Sequence, residues 1–363
     1  MKCRLLYLVG QLGLGGLERQ LYYLLYAMDR NRFHPTVVVW NYKCEDSYAR
    51  LFGELGVPLY GLPDRLFRLG KIRAFRQLVK SLSPEIVHSY SFYTNFAAWY
   101  ATLGLSAIPI GSIRQNFISE RKKAGKLLGC LSARWPAFNI CNSVAAKNTV
   151  ESMRSYWKPQ FVFSVRNGLD LDQFQVFPMA MGQAKLLAIG RLFPEKRWDR
   201  LLHCLELVSK KGLKFELNLV GDGPLRKRLE MQASHLGIDD KVNFLGTRCD
   251  IPTLLQDATF LVHTADDEGC PNVVMEAMAC GRAVVATDAG DVPCLVEHEK
   301  TGYLVRRGDD STLVESISEL ITNFELSRRM GEAGRAKAEK EFGLNRLVSE
   351  TLAVYRAAHW ESF

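Results

Sequence analysis

The chain has 363 residues, 47% of them hydrophobic, which is enough to bury a large core and suits two α/β domains better than one. Its nine cysteines form no Cys-x-x-Cys pair, so buried reduced thiols are favoured over disulfides or a zinc site. No run of about eighteen apolar residues occurs, which excludes a membrane-spanning helix and favours a cytoplasmic chain.

Charge is distributed unevenly along the chain. The net charge is +8, but residues 1–168 carry 23 Lys and Arg against 9 Asp and Glu, whereas the remainder carries 24 against 30. The first part is therefore expected to attract anions, and anionic lipid, a phosphorylated acceptor and nucleic acid all fit that charge. Because no recognisable nucleic-acid module accompanies it, nucleic acid is not expected as a partner.

Short apolar runs alternate with amphipathic segments, and this alternation predicts an α/β fold of parallel sheets with right-handed crossovers. Twelve strands suit two sheets better than one. The predicted strands are 4–9, 36–40, 86–88, 108–112, 138–141, 161–165, 186–189, 216–220, 242–245, 259–263, 283–286 and 303–305. Helical patterns include 17–28, 198–211 and 224–235. The turn-prone stretch 167–170 marks the expected joint between two domains.

The loop after the first strand, residues 10–19, is rich in glycine and leads into a helix. Glycines there let backbone N–H groups approach a phosphate, which the helix dipole also attracts. A dinucleotide fingerprint needs a third glycine at the sixth position counted from Gly13, where Glu18 stands. The loop is equally consistent with a phosphate site that includes Gly15 and Gly16 and with a tight strand–helix turn.

Two basic residues follow the first strand of the second half. Arg191 lies just past its carboxyl end, and Lys196 opens the next helix five residues later. Ligands of open parallel sheets bind at that edge, where a guanidinium and an ammonium would neutralise a diphosphate. Two solvated cations are the alternative, although cations are unfavourable at a helix N-terminus.

The next two strands end in loops at the same edge. One contains Gly221, three residues before Pro224 at the expected first helical position, and it either shapes the site or contacts a ligand. The other ends at Arg248 and is a candidate to present backbone groups to a nucleobase.

The most informative group of residues spans 263–281. A strand is expected to end near His263 and a helix to begin near Asn272, which places Glu268 in the loop and Glu276 on the second helical turn. Because carboxylates accept hydrogen bonds from hydroxyls, the pair suits a ligand with hydroxyl groups at both ends.

The start of that helix completes the predicted site. Backbone N–H groups of Gly269, Asn272 and Val273 would bind phosphates in the middle of such a ligand. The alternative is a capping acid and a surface glutamate, but Glu276 lies in the apolar run 273–279, where an idle carboxylate is costly.

These motifs resemble those of the retaining glycosyltransferases of family 4, the glycogen-synthase-like group 1 enzymes, which have the GT-B fold. The resemblance covers nearly the whole chain and is most specific at 190–196, 220–224 and 268–281. It implies two Rossmann-like parallel-sheet domains that face each other across a cleft. Residues 1–168 would bind the acceptor, residues 169–343 would bind a nucleotide sugar, and a helix in 344–363 would return to the first domain.

The resemblance also implies roles for individual residues. Arg191 and Lys196 would hold the donor diphosphate, Glu268 the hydroxyls of the transferred sugar, and Glu276 those of the ribose. Gly16 would let the first loop close over the phosphates. Such enzymes need no metal or other cofactor, because these cations stabilise the leaving diphosphate.

Three positions bear on how far the resemblance holds. Where the family often keeps a histidine after the strand 108–112, this chain has Arg114, which cannot act as a base but can bind sugar hydroxyls or an acceptor phosphate. Gly290-Asp291 departs from the usual Gly-Gly and later Glu. His88 matches a recurring family position and is interpreted as a packed strand-end residue.

Two basic stretches, 65–80 and 121–126, favour an anionic bilayer surface as a partner, because leucines and aromatics accompany them. A solvated helix face would look the same. We expect a glycan or lipid-linked acceptor, used in cell-surface polysaccharide or glycolipid synthesis at the cytoplasmic face of a membrane.

Two other functions fit the same sequence. A catalytically silent nucleotide-sugar or carbohydrate-binding protein is favoured by Arg114, and another GT-B enzyme, such as a nucleotide-sugar epimerase, is allowed by the fold. The complete set of Arg191, Lys196, Glu268 and Glu276 favours a transferase.

Overall fold

The structure is a computed structural model that describes residues 2–13, 15–179 and 182–360. The chain divides into two compact units. Unit 1 comprises Met1–Gly168 and Leu344–Phe363, and unit 2 comprises Leu169–Gly343. One position of the predicted glycine loop, Leu14, lies outside the described residues.

Each unit is built on a parallel sheet. Unit 1 contains β1 (Cys3–Val9), β2 (Phe33–Val39), β3 (Leu59–Gly61), β4 (Ile86–Ser89), β5 (Ile108–Ile113), β6 (Phe138–Cys141) and β7 (Phe161–Ser164). Unit 2 contains β8 (Ala184–Ile189), β9 (Phe215–Val220), β10 (Val242–Gly246), β11 (Phe260–His263), β12 (Ala283–Thr287) and β13 (Gly302–Val305).

The helices lie between these strands and after the last one. They are α1 (Gly16–Tyr26), α2 (Ser47–Glu54), α3 (Arg68–Leu82), α4 (Asn95–Thr102), α5 (Phe117–Lys123), α6 (Lys126–Arg134), α7 (Val144–Ser152), α8 (Trp198–Lys210), α9 (Arg226–His235), α10 (Ile251–Asp257), α11 (Asn272–Ala279), α12 (Val292–Leu295), α13 (Asp310–Thr322), α14 (Phe324–Glu341) and α15 (Leu344–Ala357). No helix in the described ranges is both long and apolar enough to cross a bilayer.

Strand order places a switch point in each sheet. The described strands of unit 1 pair in the order β3-β2-β1-β4-β5-β6-β7, and those of unit 2 in the order β10-β9-β8-β11-β12-β13. The chain therefore winds outward in both directions from β1 and from β8. In such sheets a crevice opens beyond the carboxyl ends of the two strands at the reversal, here β1 with β4 and β8 with β11.

The burial of the central strands explains why their sequences are unbroken apolar runs. In β1, Leu5 to Val9 are all almost fully buried, as are Leu186 to Ala188 in β8. A parallel strand covered by helices on both faces has no solvent side, so its side chains do not alternate between apolar and polar. The predicted α/β fold with two parallel sheets is confirmed.

The predicted elements match the structure except at three points. Lys196 was expected to open a helix, but it ends the short 3-10 turn Pro194–Lys196, and α8 begins at Trp198. All twelve predicted strands are present, with ends shifted by at most three residues, but the three-residue edge strand β3 was not predicted. Pro224 was expected at the first helical position, whereas α9 begins at Arg226 and Pro224 lies in the preceding turn. Among the cysteines, all nine of which are described, no disulfide forms.

Candidate active site

The carboxyl edge of β8 and β11 gathers the charged residues singled out from the sequence. The loop after β8 carries Arg191 and Lys196, and the loop after β11 carries Glu268. Because these two strands are neighbours, their loops meet at the switch point of the sheet.

Lys196 and Glu268 form an ion pair through Nζ and Oε1, and their side chains are only 17% and 13% exposed. The Nε2 atom of His263 lies 3.1 Å from the same Oε1. Burial by itself would raise the pKa of Glu268, but Lys196 and then His263 outweigh it and lower that pKa to about 2. Glu268 is therefore a carboxylate throughout the physiological pH range, able to accept hydrogen bonds but not to donate a proton.

His263, the last residue of β11, supports this carboxylate from the interior. Its side chain is fully buried, and burial lowers the pKa of His263 even though the neighbouring Glu268 opposes the shift. The imidazole is accordingly neutral near pH 7. No role for His263 was predicted from the sequence, where its position at a strand end was the only signal.

Hydrogen bonds between the two loops hold the ion pair in place. The hydroxyl of Thr264 donates to the carbonyl oxygens of Lys196 at 3.0 Å and Arg197 at 3.2 Å, and the N–H of Asp266 donates to the carbonyl of Glu195 at 2.9 Å. Arg197 has a left-handed backbone, with φ of 54°, and its Nη1 lies 2.6 Å from Oδ2 of Asp266. This conformation costs about 1–2 kcal/mol outside glycine, so its neighbours fix it firmly.

Arg191 and Glu276 occupy different surroundings. The Arg191 side chain is 64% exposed, with its Nη2 3.8 Å from Oε1 of Glu195 and its guanidinium carbon 4.8 Å from the centre of the Phe193 ring. Glu276 lies on the second turn of α11 and is buried. The structure thus joins Lys196 to Glu268, leaves Arg191 at the surface of the same loop, and buries Glu276 on the helix that follows Glu268.

The start of α11 lies next to the same loop. Asn272 and Val273 form its first turn, where the positive end of the helix dipole is located. Gly269 accepts a hydrogen bond from the N–H of Asp291 at 2.9 Å, which ties the Glu268 loop to the segment after β12.

Gly221 and Arg248 have structural partners in unit 2. Gly221 has φ of 133°, and a Cβ there would lie 2.0 Å from the carbonyl oxygen of Gly190, so glycine is required where these loops pack. Its N–H donates to the carbonyl of Gly246 at 2.8 Å. The Arg248 side chain is engaged by Asp250, with Nε 2.8 Å from Oδ1. Within the described ranges, no three His, Cys, Asp or Glu side chains are grouped to hold a metal ion.

Gly290 supports the site in a way that the sequence did not reveal. It has φ of 54°, and a Cβ at this position would lie 2.4 Å from the carbonyl oxygen of Glu268 and 2.5 Å from that of Gly269. Only a glycine allows such close approach in this conformation. From the sequence, Gly290-Asp291 was noted only as a departure from the family pattern, but here it packs directly against the Glu268 loop.

Unit 1 has its own polar group at the carboxyl ends of β1, β4 and β5. Gly15 precedes α1 and Gly16 is its first residue. A Cβ on Gly15 would lie 2.2 Å from Oε2 of Glu18, so this glycine makes room for a buried carboxylate. Burial raises the pKa of Glu18 to about 7, against a backbone hydrogen bond that lowers it.

Glu18 should make the stability of unit 1 depend on pH. Because its pKa is raised from 4.5 to about 7 in the folded chain, its contribution is complete below pH 4.5 and is lost as the pH rises through about 7. We expect Glu18→Gln to match the wild type at pH 4.5 and to be more stable by roughly 3 kcal/mol at pH 8. Denaturant unfolding across this range measures the difference. Glu54→Gln, on the exposed side of α2, should follow the wild type, and an identical pH profile for Glu18→Gln would contradict the assignment.

Arg114 and His88 lie near each other but differ in their partners. Arg114 directly follows β5, and its guanidinium carbon lies 3.8 Å from the centre of the Tyr90 ring. His88 is buried, with Nδ1 2.8 Å from the Tyr355 hydroxyl and Nε2 3.0 Å from that of Ser112. Burial, reinforced by Arg114, lowers the pKa of His88 well below its usual value. His88 is therefore a packed, neutral residue, as interpreted from the sequence.

Comparison with known proteins places this geometry in a family. Residues 171–337 match "Glycosyl transferases group 1", and residues 14–173 match "Glycosyltransferase Family 4". An uncharacterized glycosyltransferase of Haemophilus influenzae is 32% identical over 296 residues, covering 80% of this chain and 81% of that protein. The N-acetyl-alpha-D-glucosaminyl L-malate synthase of Bacillus anthracis is 33% identical over 140 residues, covering 39% of this chain and 37% of that enzyme.

Solved structures show the same architecture. The Anabaena protein Alr3699/HepE, in complex with UDP and glucose, superposes with a TM-score of 0.82 at 20% sequence identity, over 97% of this chain and 99% of that one. The two parallel-sheet units thus form a GT-B fold, as the sequence resemblance implied. The chain belongs to the group 1, family 4 glycosyltransferases.

Proposed function

We propose that this glycosyltransferase takes its sugar from a nucleotide-diphosphate donor bound by unit 2, with retention of configuration and without a metal ion. The observation that carries the proposal is the partly buried Lys196–Glu268 pair at the switch point of the unit 2 sheet. It offers a cation for a diphosphate and, beside it, a permanent carboxylate for sugar hydroxyls. The UDP and glucose complex of the Anabaena protein is in keeping with this class of donor.

Each residue would have a distinct task in donor binding. Lys196 would donate hydrogen bonds to the diphosphate, and the exposed Arg191 would add a second positive charge from the same loop. The positive end of α11, at Asn272 and Val273, would face the phosphates. Glu268 would accept hydrogen bonds from the sugar, and Glu276 from the ribose.

The proposed reaction needs no covalent intermediate on the enzyme. The acceptor hydroxyl oxygen forms a bond to C1 of the sugar on the face from which the nucleoside diphosphate departs. The bond between C1 and the diphosphate oxygen breaks, and that phosphate oxygen takes the hydroxyl proton. Lys196 would stabilise the negative charge that develops on the leaving diphosphate, the role that a metal ion plays in other enzymes.

Thermal unfolding with a panel of UDP-, GDP- and ADP-sugars in EDTA tests the donor proposal. At least one donor should stabilise the chain, since a ligand at about 100 times its Kd adds roughly 2.7 kcal/mol. That donor should then be consumed with formation of an α-linked product. Donor binding without transfer would instead support the silent binding protein, and a requirement for a divalent cation would contradict the metal-free mechanism.

We further propose that unit 1 meets an anionic membrane surface through a basic rim. This rim consists of residues 65–69, before and at the start of α3, together with residues 118–127 in α5 and α6. Phe67 is 91% exposed and Leu69 and Leu127 are each 74% exposed. Exposed Arg and Lys residues stand beside them in both segments, a combination that suits anionic lipid headgroups over apolar chains.

Both segments of the basic rim come after the carboxyl end of a strand: residues 65–69 follow β3, and α5 follows β5. The turn Phe92–Thr94 packs against both α5 and α6. Arg68 is close enough to Tyr93 to lower its pKa, which burial and then Glu18 raise overall to about 12. The rim therefore lies along the carboxyl edge of the unit 1 sheet, where the acceptor is expected.

Two basic residues counted from the sequence do not belong to this surface. Lys71 is buried and donates to the Trp40 carbonyl at 2.7 Å and to Oδ1 of Asn41 at 3.0 Å. Arg76 donates to the carbonyl oxygens of Tyr100 and Leu103 at the end of α4. Both satisfy backbone groups inside unit 1, so these two residues of the basic stretch 65–80 do not contribute to the proposed membrane surface.

Vesicle flotation tests the membrane proposal. The wild type should float with phosphatidylcholine vesicles only when phosphatidylglycerol is included, and added salt should release it. Phe67→Ser or Leu127→Ser should weaken binding about tenfold, because each removes a side chain worth roughly 1.5–3 kcal/mol of burial. The control is Met231→Ser, which changes an apolar residue of unit 2 that is 66% exposed. Vesicle binding that does not depend on anionic lipid, or an equal loss of binding in all three variants, would contradict the proposed role of the basic rim.

A further inference from the structure

Arg114 is a buried cation at the carboxyl edge of the unit 1 sheet. It is 9% exposed, and its Nε is shielded from solvent without a hydrogen-bond partner. Within the described ranges, no carboxylate forms an ion pair with its guanidinium. Burying a charge in this way costs free energy unless an opposite charge lies next to it.

The neighbouring groups supply only part of that counter-charge. Glu120 interacts electrostatically with Arg114, but its Oε2 accepts a hydrogen bond from the Arg114 backbone N–H at 3.1 Å and not from the guanidinium. Burial raises the pKa of Glu120 to about 7, so the group is only partly ionised at neutral pH. His88 is neutral, as are the buried phenols of Tyr90 and Tyr355, whose pKa values burial raises.

The geometry prepares Arg114 for an oxyanion. The Tyr90 ring, 3.8 Å from the guanidinium carbon, fixes the plane of the group by a cation–π contact. The N–H groups lie in that plane and form a fork whose spacing matches a carboxylate or phosphate. Since Arg114 follows β5 and Tyr90 follows β4, both stand at the edge where open parallel sheets bind ligands.

We infer that Arg114 selects an acceptor that carries a carboxylate or phosphate group near the hydroxyl to be glycosylated. This inference rests on the proposed function, because it takes unit 1 as the acceptor-binding unit. Arg114 is then a specificity residue for an anionic acceptor.

Calorimetric titrations of the full chain, saturated with UDP to fill the donor site, test the inference. The probes are glucose, glucuronate and glucose 6-phosphate, so that the two charged sugars distinguish a carboxylate from a phosphate. The wild type should bind at least one charged sugar about tenfold or more tightly than glucose, as expected for a hydrogen bond to a charged group. Arg114→Gln should abolish the preference, and Arg114→Lys should retain part of it.

The matched control is Arg50→Gln, which removes the same charge from an exposed position on α2 and should keep the wild-type preference. UDP titration of each variant checks that it is folded. A wild type that binds UDP but shows no preference for charged sugars, or an unchanged preference in Arg114→Gln, overturns the inference alone. A wild type that does not bind UDP or any other nucleoside diphosphate overturns the proposed function with it.

Discussion

Lys196→Met should weaken UDP binding at least tenfold and lower sugar transfer by more. The substitution removes the ammonium proposed to hold the diphosphate, and hydrogen bonds to charged groups contribute about 1.5–3 kcal/mol each. It also leaves the partly buried Glu268 without its cation, and breaking a buried pair costs up to about 3–5 kcal/mol of folding free energy. Calorimetry with UDP in EDTA and denaturant unfolding measure the two effects separately.

Glu268→Gln separates the two partners of the ion pair. It should keep UDP affinity within a few-fold, because Lys196 remains, but should lower transfer about a hundredfold, since the hydrogen-bond acceptor for the sugar has lost its charge. The double variant Lys196→Met with Glu268→Gln should be more stable than Lys196→Met alone, because no unpaired charge stays buried.

Lys214→Met provides the control for these variants, since it removes an exposed lysine of the same unit. It should bind UDP and transfer sugar as the wild type does. Wild-type UDP affinity in Lys196→Met would show that the diphosphate lies elsewhere, and the donor site proposed here would have to be abandoned.

Gly290→Ala should impair the site although Gly290 itself has no proposed role in donor binding or catalysis. The new methyl group would lie within 2.5 Å of the carbonyl oxygens of both Glu268 and Gly269, so the loop must move. Overpacking costs about 1–3 kcal/mol, and the left-handed backbone adds about 1–2 kcal/mol. A displacement of the Glu268 carboxylate by about 1 Å is enough to lower transfer on the order of a hundredfold.

A second glycine of unit 2 isolates the contribution of crowding. Gly237 is also left-handed, with φ of 67°, but a Cβ there would meet open space. Gly237→Ala should therefore lose only the backbone term and keep its activity. Thermal unfolding and sugar-transfer rates of Gly290→Ala and Gly237→Ala measure the difference. Equal losses of stability and of transfer rate in the two variants would mean that the contact of Gly290 with the Glu268 loop is unimportant.

Much of the secondary structure of both units could be predicted from local sequence. Buried parallel strands require continuous apolar runs, and the helices between them require amphipathic ones, so twelve strands were recognisable. The edge strand β3 was missed because it has only three residues. None of them is buried, so they carry no periodic apolar pattern. Pro224 was placed in a helix because proline is common at the first helical position, but proline is also common in turns that precede a helix.

Side-chain partners were harder to predict than positions. Lys71 and Arg76 look like solvent-facing charges in a basic stretch, yet both reach inward to backbone carbonyls of other segments. Long, flexible side chains can bury their aliphatic part and still donate hydrogen bonds to oxygen atoms. The local sequence does not predict which oxygen atoms accept these bonds. The same holds for His263, whose contact with Glu268 depends on the course of the loop after β11.

Local sequence is sufficient for the α/β class, the order of strands and helices, and the segments that carry Arg191, Lys196, Glu268 and Glu276, because these depend on short-range periodicity and on loop composition. Three-dimensional packing was needed to find that Lys196 pairs with Glu268 while Arg191 stays exposed, and that Gly290 packs against the Glu268 loop. The packing also places Arg114 over Tyr90, where no carboxylate of the described residues forms an ion pair with it. These facts depend on distances between residues far apart in the chain, which are set by packing across neighbouring strands rather than by any local preference.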